Sequence, residues 1–269
     1  MSNTVLKKRY NTLVSLDRIL NTFYAISNFN LATLSKQNIN GLKVGVQELL
    51  PYMKNTKIRG SDIKNNGRKL IIALFSNKGL CGGYNNNVNK KMLKYESDLS
   101  NQEKDKIDYI MIGNRSRRYM KNRNVIKQIS CKDNNVNLYI DEMIKISCDY
   151  DLDNIYVCCN QFVNILKQET VFSNILSFFD FDNNCTIVNE SINVSFATLY
   201  RCFFSNIMYV IYLNARKSEE GSRIQTTFNA KKNTKDNIDL LQLEINKIRK
   251  IKATTEILET TSTLEALKN

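Results

Sequence analysis

The sequence predicts an α/β fold in which long N- and C-terminal helices pair as an antiparallel coiled coil around an inserted α/β domain on a mostly parallel sheet. Three observations predict it. Apolar residues recur at helical spacing over residues 1–58. Between 67 and 195 the period changes, and short apolar runs alternate with helix-length segments. From 196 onward the helical period returns, with no Pro and one Gly, Gly221.

The first segment, 1–58, places Leu13, Leu16, Leu20 and Phe23 at spacings of 3, 4 and 3, with Ile19 and Ile26 widening the stripe. Gly41 and Gly45 are its weak points. Pro51 is expected to kink or end the helix near Leu50, because a proline removes an N–H and its ring meets the preceding turn. Up to Gly60 there are 9 basic and 2 acidic residues, a net +7 that is over half of the chain's +13.

In the middle part, 67–195, Lys69 to Phe75, Asp108 to Gly113 and Asn154 to Cys159 read as strands. Runs that are apolar almost throughout suit a sheet covered on both faces. The stretches 86–100 and 136–149 are long enough for crossover helices. Together they predict a Rossmann-like arrangement with right-handed connections.

In the last part, 196–269, Ile238, Leu241, Ile245 and Ile248 are spaced 3, 4 and 3, and Ile257, Leu264 and Leu267 continue the seam. An unbroken helix over 196–267 would run about 100 Å at 1.5 Å per residue. Such a seam needs a partner, and the other long seam lies at the opposite end of the chain.

Composition narrows the chemistry. The 269 residues include 39 Lys plus Arg, 26 Asp plus Glu, no His and no Trp. Without His there is no Ser-His-Asp triad, no Cys-His pair and no imidazole-bound zinc. Cys81, Cys131, Cys148, Cys158, Cys159, Cys185 and Cys202 are odd in number and form no CxxC, so neither a zinc ribbon nor a disulfide framework is suggested. They read as thiols of a reducing compartment. The longest apolar run, Ile207 to Leu213, is far shorter than a membrane span. No secretory signal opens the chain.

Gly79-Leu80-Cys81-Gly82-Gly83-Tyr84-Asn85 follows the first strand. It could offer N–H groups to a phosphate, but it matches neither GxGxxG nor a P-loop, and it reads as a tight structural turn. Arg115, Arg117, Arg118, Lys121 and Arg123 cluster around Tyr119. They read as a solvated face, with nucleic-acid binding as the alternative. Asp149, Asp151 and Asp153 alternate before a strand without the other ligands of a calcium loop. Asp141-Glu142 reads as solvent-facing, and Glu219 and Glu220 as partners of Arg216, Lys217 or Arg223 at i,i+3 and i,i+4. None of these matches a known active-site pattern.

At this point the chain resembles a known family, the γ subunit (central stalk) of F-type ATP synthase. The run Leu70 to Phe75 followed by Ser76-Asn77-Lys78-Gly79-Leu80-Cys81-Gly82-Gly83-Tyr84-Asn85 carries most of the resemblance. Met111-Ile112-Gly113, Ile155-Tyr156-Val157 with Asn160-Gln161-Phe162, and Ser218-Glu219 with Ser222-Arg223 are similar to later family motifs. So are Asn246, Arg249, Thr254, Glu256 and Ile257. The chain departs from the family at Leu20, Asn21, Thr22 and Phe23, at Ile224 and Lys250, and at Glu265 and Lys268 near the tip.

The resemblance implies a rotary shaft, present once per complex, that carries out no bond chemistry and needs no cofactor or metal. Its partners would be an α3β3 hexamer, an ε-type subunit and the membrane c-ring, with the membrane reached through that ring alone and no nucleic acid bound. Arg249, Lys250, Glu256, Leu264 and Leu267 would touch the α/β ring. Phe203, Ser205 and Ile207 would touch the rotor ring. Gly79, Leu80, Cys81, Gly82, Gly83 and Asn85 would be a structural motif. The expected location is the cytoplasmic face of a bacterial inner membrane, with the matrix side of a mitochondrial inner membrane as the alternative. The rival functions are a basic nucleic-acid-binding coiled-coil protein and a nucleotide-dependent enzyme using the Gly-rich turn.

Overall fold

A computed structural model describes residues 3–37, 39–55, 67–130, 136–178 and 196–266. Helices α1 (Asn3–Ser35) and α2 (Ile39–Asn55) precede strand β1 (Lys69–Leu74). Next come α3 (Tyr84–Ser97), the short α4 (Asn101–Lys104), β2 (Ile107–Ile112) and β3 (Asn124–Ile129). Then follow α5 (Val136–Ser147), β4 (Ile155–Phe162), β5 (Gln168–Asn174) and α6 (Phe196–Ala266). The chain forms two compact units: residues 1–26 with 226–269, and residues 27–225.

In the larger unit the sheet order is β3-β2-β1-β4-β5. β1 pairs in parallel with β2 and β4, β2 pairs in parallel with β3, and β5 closes the edge antiparallel to β4. Side chains alternate across the strands, so each strand feeds two cores. Leu70, Ile72 and Leu74 of β1 join Ile110, Ile112, Ile155, Val157 and Cys159 on one face. That face is covered by Val46 and Leu50 of α2, Ile140, Met143 and Ile144 of α5, and Phe203, Phe204, Ile207, Met208 and Ile211 of α6. Ile71, Ala73, Tyr109, Met111 and Cys158 face the other way, against Val88 and Met92 of α3. The adjacent Cys158 and Cys159 therefore sit on opposite faces of the sheet. Burial pushes the Cys158 thiol up to about 12 and Cys159 well above its ordinary value, so both are inert protonated thiols.

Two expectations for the N-terminal segment need correction. Of the two outcomes expected at Pro51, the ending near Leu50 does not occur: α2 runs through Pro51 to Asn55, and buried Val46 and Leu50 hold the preceding turns on the core. The break comes earlier, where Lys36 N and Gln37 N donate to Thr33 O and Leu34 O and tighten the last turn of α1. The buried stripe of α1 also differs from the one expected. It follows a 4,3 repeat in which Leu6, Leu20, Ser27 and Leu31 are buried and Tyr10, Leu13, Tyr24 and Leu34 half-buried. Leu16, Ile19, Phe23 and Ile26 lie off it and are 40% to 52% exposed.

In the smaller unit the chain ends pack side by side. Leu6 is buried with Leu241 and Ile245, and Tyr10, Leu13 and Ile248 pack against them. Further along, the Tyr24 and Phe228 rings lie 6.3 Å apart, and the Lys231 ammonium sits 6.0 Å from the Tyr24 ring centre. Contacts low on α1 meet positions high on α6 and the reverse, so the two segments run antiparallel. On α6 the covered positions Thr227, Lys231, Thr234, Ile238, Leu241, Ile245 and Ile248 repeat the same 4,3 rhythm. That is the knob spacing of a two-helix seam.

Candidate functional site

The residues singled out by the sequence fall in two parts of the chain: the Gly-rich turn with the middle of α6, and the surface of the helix pair.

The turn is built from its own side chains. Ser76 N donates to Asn85 Oδ1 at 2.9 Å, Asn85 Nδ2 returns a hydrogen bond to Ser76 Oγ at 2.8 Å, and Ser76 Oγ donates to Lys78 O at 2.9 Å. Cys81 Sγ lies 3.4 Å from Ser76 Oγ, and burial raises the Cys81 thiol. Leu80 and Gly82 both take left-handed backbone, with φ of 60° and 52°. Gly82 does so freely, whereas Leu80 is a bulky residue held there against its preference.

This turn presents carbonyls, and α6 supplies the donors. Arg223 Nε donates to Gly79 O at 3.1 Å, and Ser222 Oγ donates to Cys81 O at 2.7 Å. In the other direction Lys78 N meets Glu219 Oε1 at 3.5 Å. Arg115 closes the remaining side, since its guanidinium would lie 3.0 Å from a Cβ built on Gly79. A phosphate cradle needs converging N–H groups in an open nest. Here the loop's carbonyls converge on α6 instead, so the motif is a docking turn.

The α6 side is a buried ionic quartet. Arg216 Nη1 and Arg223 Nη2 lie 2.6 Å and 2.5 Å from opposite oxygens of Glu219, and Arg223 Nη1 lies 2.6 Å from Glu220 Oε2. Glu219 and Glu220 are each 1% exposed and Arg223 is 3% exposed. Burial would lower both guanidinium pKa values, but the facing carboxylates outweigh it and hold both raised. Asn30 Nδ2 of α1 also donates to Glu220 Oε1 at 3.3 Å. The sequence shows this segment as i,i+3 and i,i+4 pairs; the docked turn is what removes them from water.

Neighbouring positions fit the same joint. Tyr84 Oη donates to Ala215 O at 3.1 Å, and Asn160 Nδ2 donates to Tyr84 O at 2.9 Å. A Cβ on Gly221 would lie 2.9 Å from the Phe162 ring, so the glycine lets α6 approach β4 closely.

The other expected residues are placed as follows. Phe203 and Ile207 are 0% and 1% exposed, packed in the core against the sheet, and so have no surface to offer a rotor ring; Ser205 between them is half-buried. Arg249, Lys250, Glu256 and Leu264 are exposed on α6 past the last covered seam position, and Glu256 pairs with Lys252 at 3.5 Å. Arg249 and Lys250 line a shallow hollow with Leu243, Asn246 and Lys247. Leu267 lies outside the described residues. In the basic cluster, Arg123 is held by Glu96 at 2.6 Å, and Tyr119 stacks on Phe75 at 5.1 Å. That leaves no aromatic platform among the exposed bases. Asp141 pairs with Arg201 at 2.7 Å and Glu142 with Lys127. Asp151 caps a 3-10 turn at Leu152–Asn154. Among the described residues no group of three or more Cys, Asp or Glu is placed to hold a metal ion.

Comparison with known proteins agrees with this arrangement. The ATP synthase gamma chain of Clostridium acetobutylicum is 25% identical, over 98% of this chain and 98% of the relative. That of Bdellovibrio bacteriovorus is 28% identical over 74% of each. Among solved structures, a chain of the Euglena gracilis mitochondrial ATP synthase OSCP/F1/c-ring assembly has a TM-score of 0.64 at 15% identity. It covers 98% of this chain and 94% of that one. A chain of the Tetrahymena thermophila central stalk and c-ring has a TM-score of 0.54 at 16% identity, with 79% and 99% covered. These likenesses show the same fold. A family model described as ATP synthase matches residues 2–267, and on that match, which takes in the docking turn, the sheet and both paired helices, the chain belongs to the ATP synthase family.

Proposed function

We propose that the chain is the gamma-type central-stalk rotor subunit of an ATP synthase, coupling ion flow through a membrane ring to ATP synthesis or hydrolysis on the β subunits of an α3β3 hexamer. The observation that carries this is the antiparallel seam joining the two chain ends, Leu6 with Leu241 and Ile245, continued by exposed α6 positions from Arg249 to Leu264. A shaft works by differential contact. Each catalytic subunit shifts between states only as far as the shaft touches those states differently. Stiffness therefore matters more than affinity, and a two-helix seam without interior Pro supplies it.

In this reading residues 1–58 and 196–269 are the shaft and 67–195 the foot. The hexamer grips the exposed end of α6, with Arg249, Lys250, Glu256 and Leu264 as contacts, while the foot meets the c-ring and an ε-type subunit. The subunit itself is non-catalytic: bond chemistry stays on the hexamer, which suits a Gly-rich turn closed by Arg223, Ser222 and Arg115. Among the described residues no helix is long and apolar enough to cross a membrane. By its likeness to bacterial gamma chains, the chain would be a peripheral component on the cytoplasmic face of a bacterial inner membrane.

The nucleic-acid alternative has no support, since Arg123 and Tyr119 are spent on internal contacts. Affinity purification of the chain from its source membranes tests the proposal. Co-purification of a nucleotide-binding hexamer and a small membrane ring subunit is expected. Recovery with nucleic acid alone, released steeply by salt, would contradict it.

A further inference from the structure

We propose that Arg216, Glu219, Ser222 and Arg223 are positioning residues that clamp α6 to the turn at 78–81, and that this clamp determines how much of the torque passes between the α/β domain and the helix. The inference rests on the rotor reading above.

The helix meets the α/β domain along two stretches of different character. From Phe203 to Ile211 the contacts are Phe203, Phe204, Ile207, Met208 and Ile211 against the sheet. Such apolar burial is strong but non-directional, so it resists separation better than sliding or twisting. From Ala215 to Arg223 the contacts are directional. Tyr84 Oη reaches Ala215 O, Glu219 meets Lys78 N, Ser222 Oγ reaches Cys81 O and Arg223 Nε reaches Gly79 O. Hydrogen bonds weaken steeply when their angles change, so rotation of α6 about its axis strains all four at once.

The quartet stiffens this joint further. Two guanidinium groups and two carboxylates cancel in charge and share one buried cluster. Pulling one member out leaves an uncompensated buried charge, so the cluster resists partial opening. Gly221 adds a steric key. The bare Cα lets α6 rest on the Phe162 ring at a distance that any side chain would disturb. Leu80, held in left-handed backbone at the crest of the turn, shows that the surrounding contacts over-determine the loop's shape.

A purely structural role would lower assembly, hydrolysis and pumping together. A clamp that bears torque separates them. The test is an assembled membrane complex carrying Glu219→Gln with Arg223→Gln. This pair removes one charge of each sign and leaves Arg216 facing Glu220. A second complex carries Ser222→Ala with Tyr84→Phe, which deletes two neutral attachments outside the quartet. For each, ATP hydrolysis and ATP-driven ion pumping are measured on the same preparation. Assembly and hydrolysis should stay near wild type, while ions pumped per ATP fall about twofold or more in the first and less in the second. Wild-type pumping ratios in assembled variants would overturn the clamp. Should the Gln pair prevent assembly, the Ser222→Ala, Tyr84→Phe complex decides alone: a lowered ratio supports the clamp and an unchanged one overturns it. A wild-type complex that hydrolyses ATP without this chain turning would instead overturn the rotor reading.

Discussion

Asp108 keeps its charge although it is almost fully buried, because three side chains donate to it. Arg68 makes a two-pronged pair with it, with Nε at 2.7 Å; Tyr150 Oη lies at 2.7 Å and Asn124 Nδ2 at 2.6 Å. Burial pushes its pKa up, but these donors outweigh burial and hold it below the ordinary carboxylate value. A depressed folded pKa adds stability above the unfolded value of about 3.9, and that stability is lost as pH falls through the folded value. Replacing Asp108 with Asn should therefore cost about 2–4 kcal/mol near neutral pH, in urea denaturation, and the gap to wild type should narrow below roughly pH 4. Gly113 is a second position fixed by its surroundings. It has φ of 100°, and a Cβ there would lie 2.3 Å from Phe75 O. Gly113→Ala should cost about 3 kcal/mol in the same assay, since backbone rather than a movable side chain must give way. The sequence shows Gly113 ending an apolar strand; the clash that makes the glycine necessary appears only once β1 and β2 are paired.

Elements were legible where burial was one-sided in sequence and harder to read where it was shared with solvent. β1, β2 and β4 lie in the interior of the sheet, so Leu70 to Leu74, Ile107 to Ile112 and Ile155 to Cys159 are apolar almost throughout. β3 and β5 are edges, and their Asn124-Val125-Ile126-Lys127 and Gln168-Glu169-Thr170-Val171 mix polar with apolar residues. Sequence reasoning passed over both. The seam of α6 was readable from Ile238, Leu241, Ile245 and Ile248, whereas α1 offered two apolar stripes of similar strength. The more aliphatic stripe, through Leu16, Ile19 and Phe23, shares only Leu13 and Leu20 with the buried face. The correct face was masked by Ser27 and Tyr24, which are covered without being aliphatic. In the isolated chain, Leu20→Gln should destabilise by about 2–4 kcal/mol, while Leu16→Gln and Ile19→Gln should each stay within about 0.5 kcal/mol. Thermal melts followed by far-UV circular dichroism check this; equal losses at all three positions would refute the assigned face.

At the level of the whole molecule, the absence of His and the positive charge narrowed the field, and the family resemblance supplied the function. The Gly-rich turn showed in the sequence as a motif, but its use did not. Its carbonyls pair with Ser222 and Arg223, 141 and 144 residues away, which no local pattern encodes. Phe203 and Ile207 were misplaced for a related reason, since a resemblance aligns positions without saying which face of a helix meets the core. In the proposed rotor the hexamer would grip α6 past Ile248, where its side chains are exposed. Rotation can be watched directly in a surface-fixed α3β3 hexamer assembled with this chain, using a bead attached to a cysteine introduced on the α/β domain. On adding ATP the bead should turn continuously in one direction, in three pauses per revolution to match the hexamer's symmetry. Steady hydrolysis beneath a bead that only jitters about a fixed angle would contradict the account.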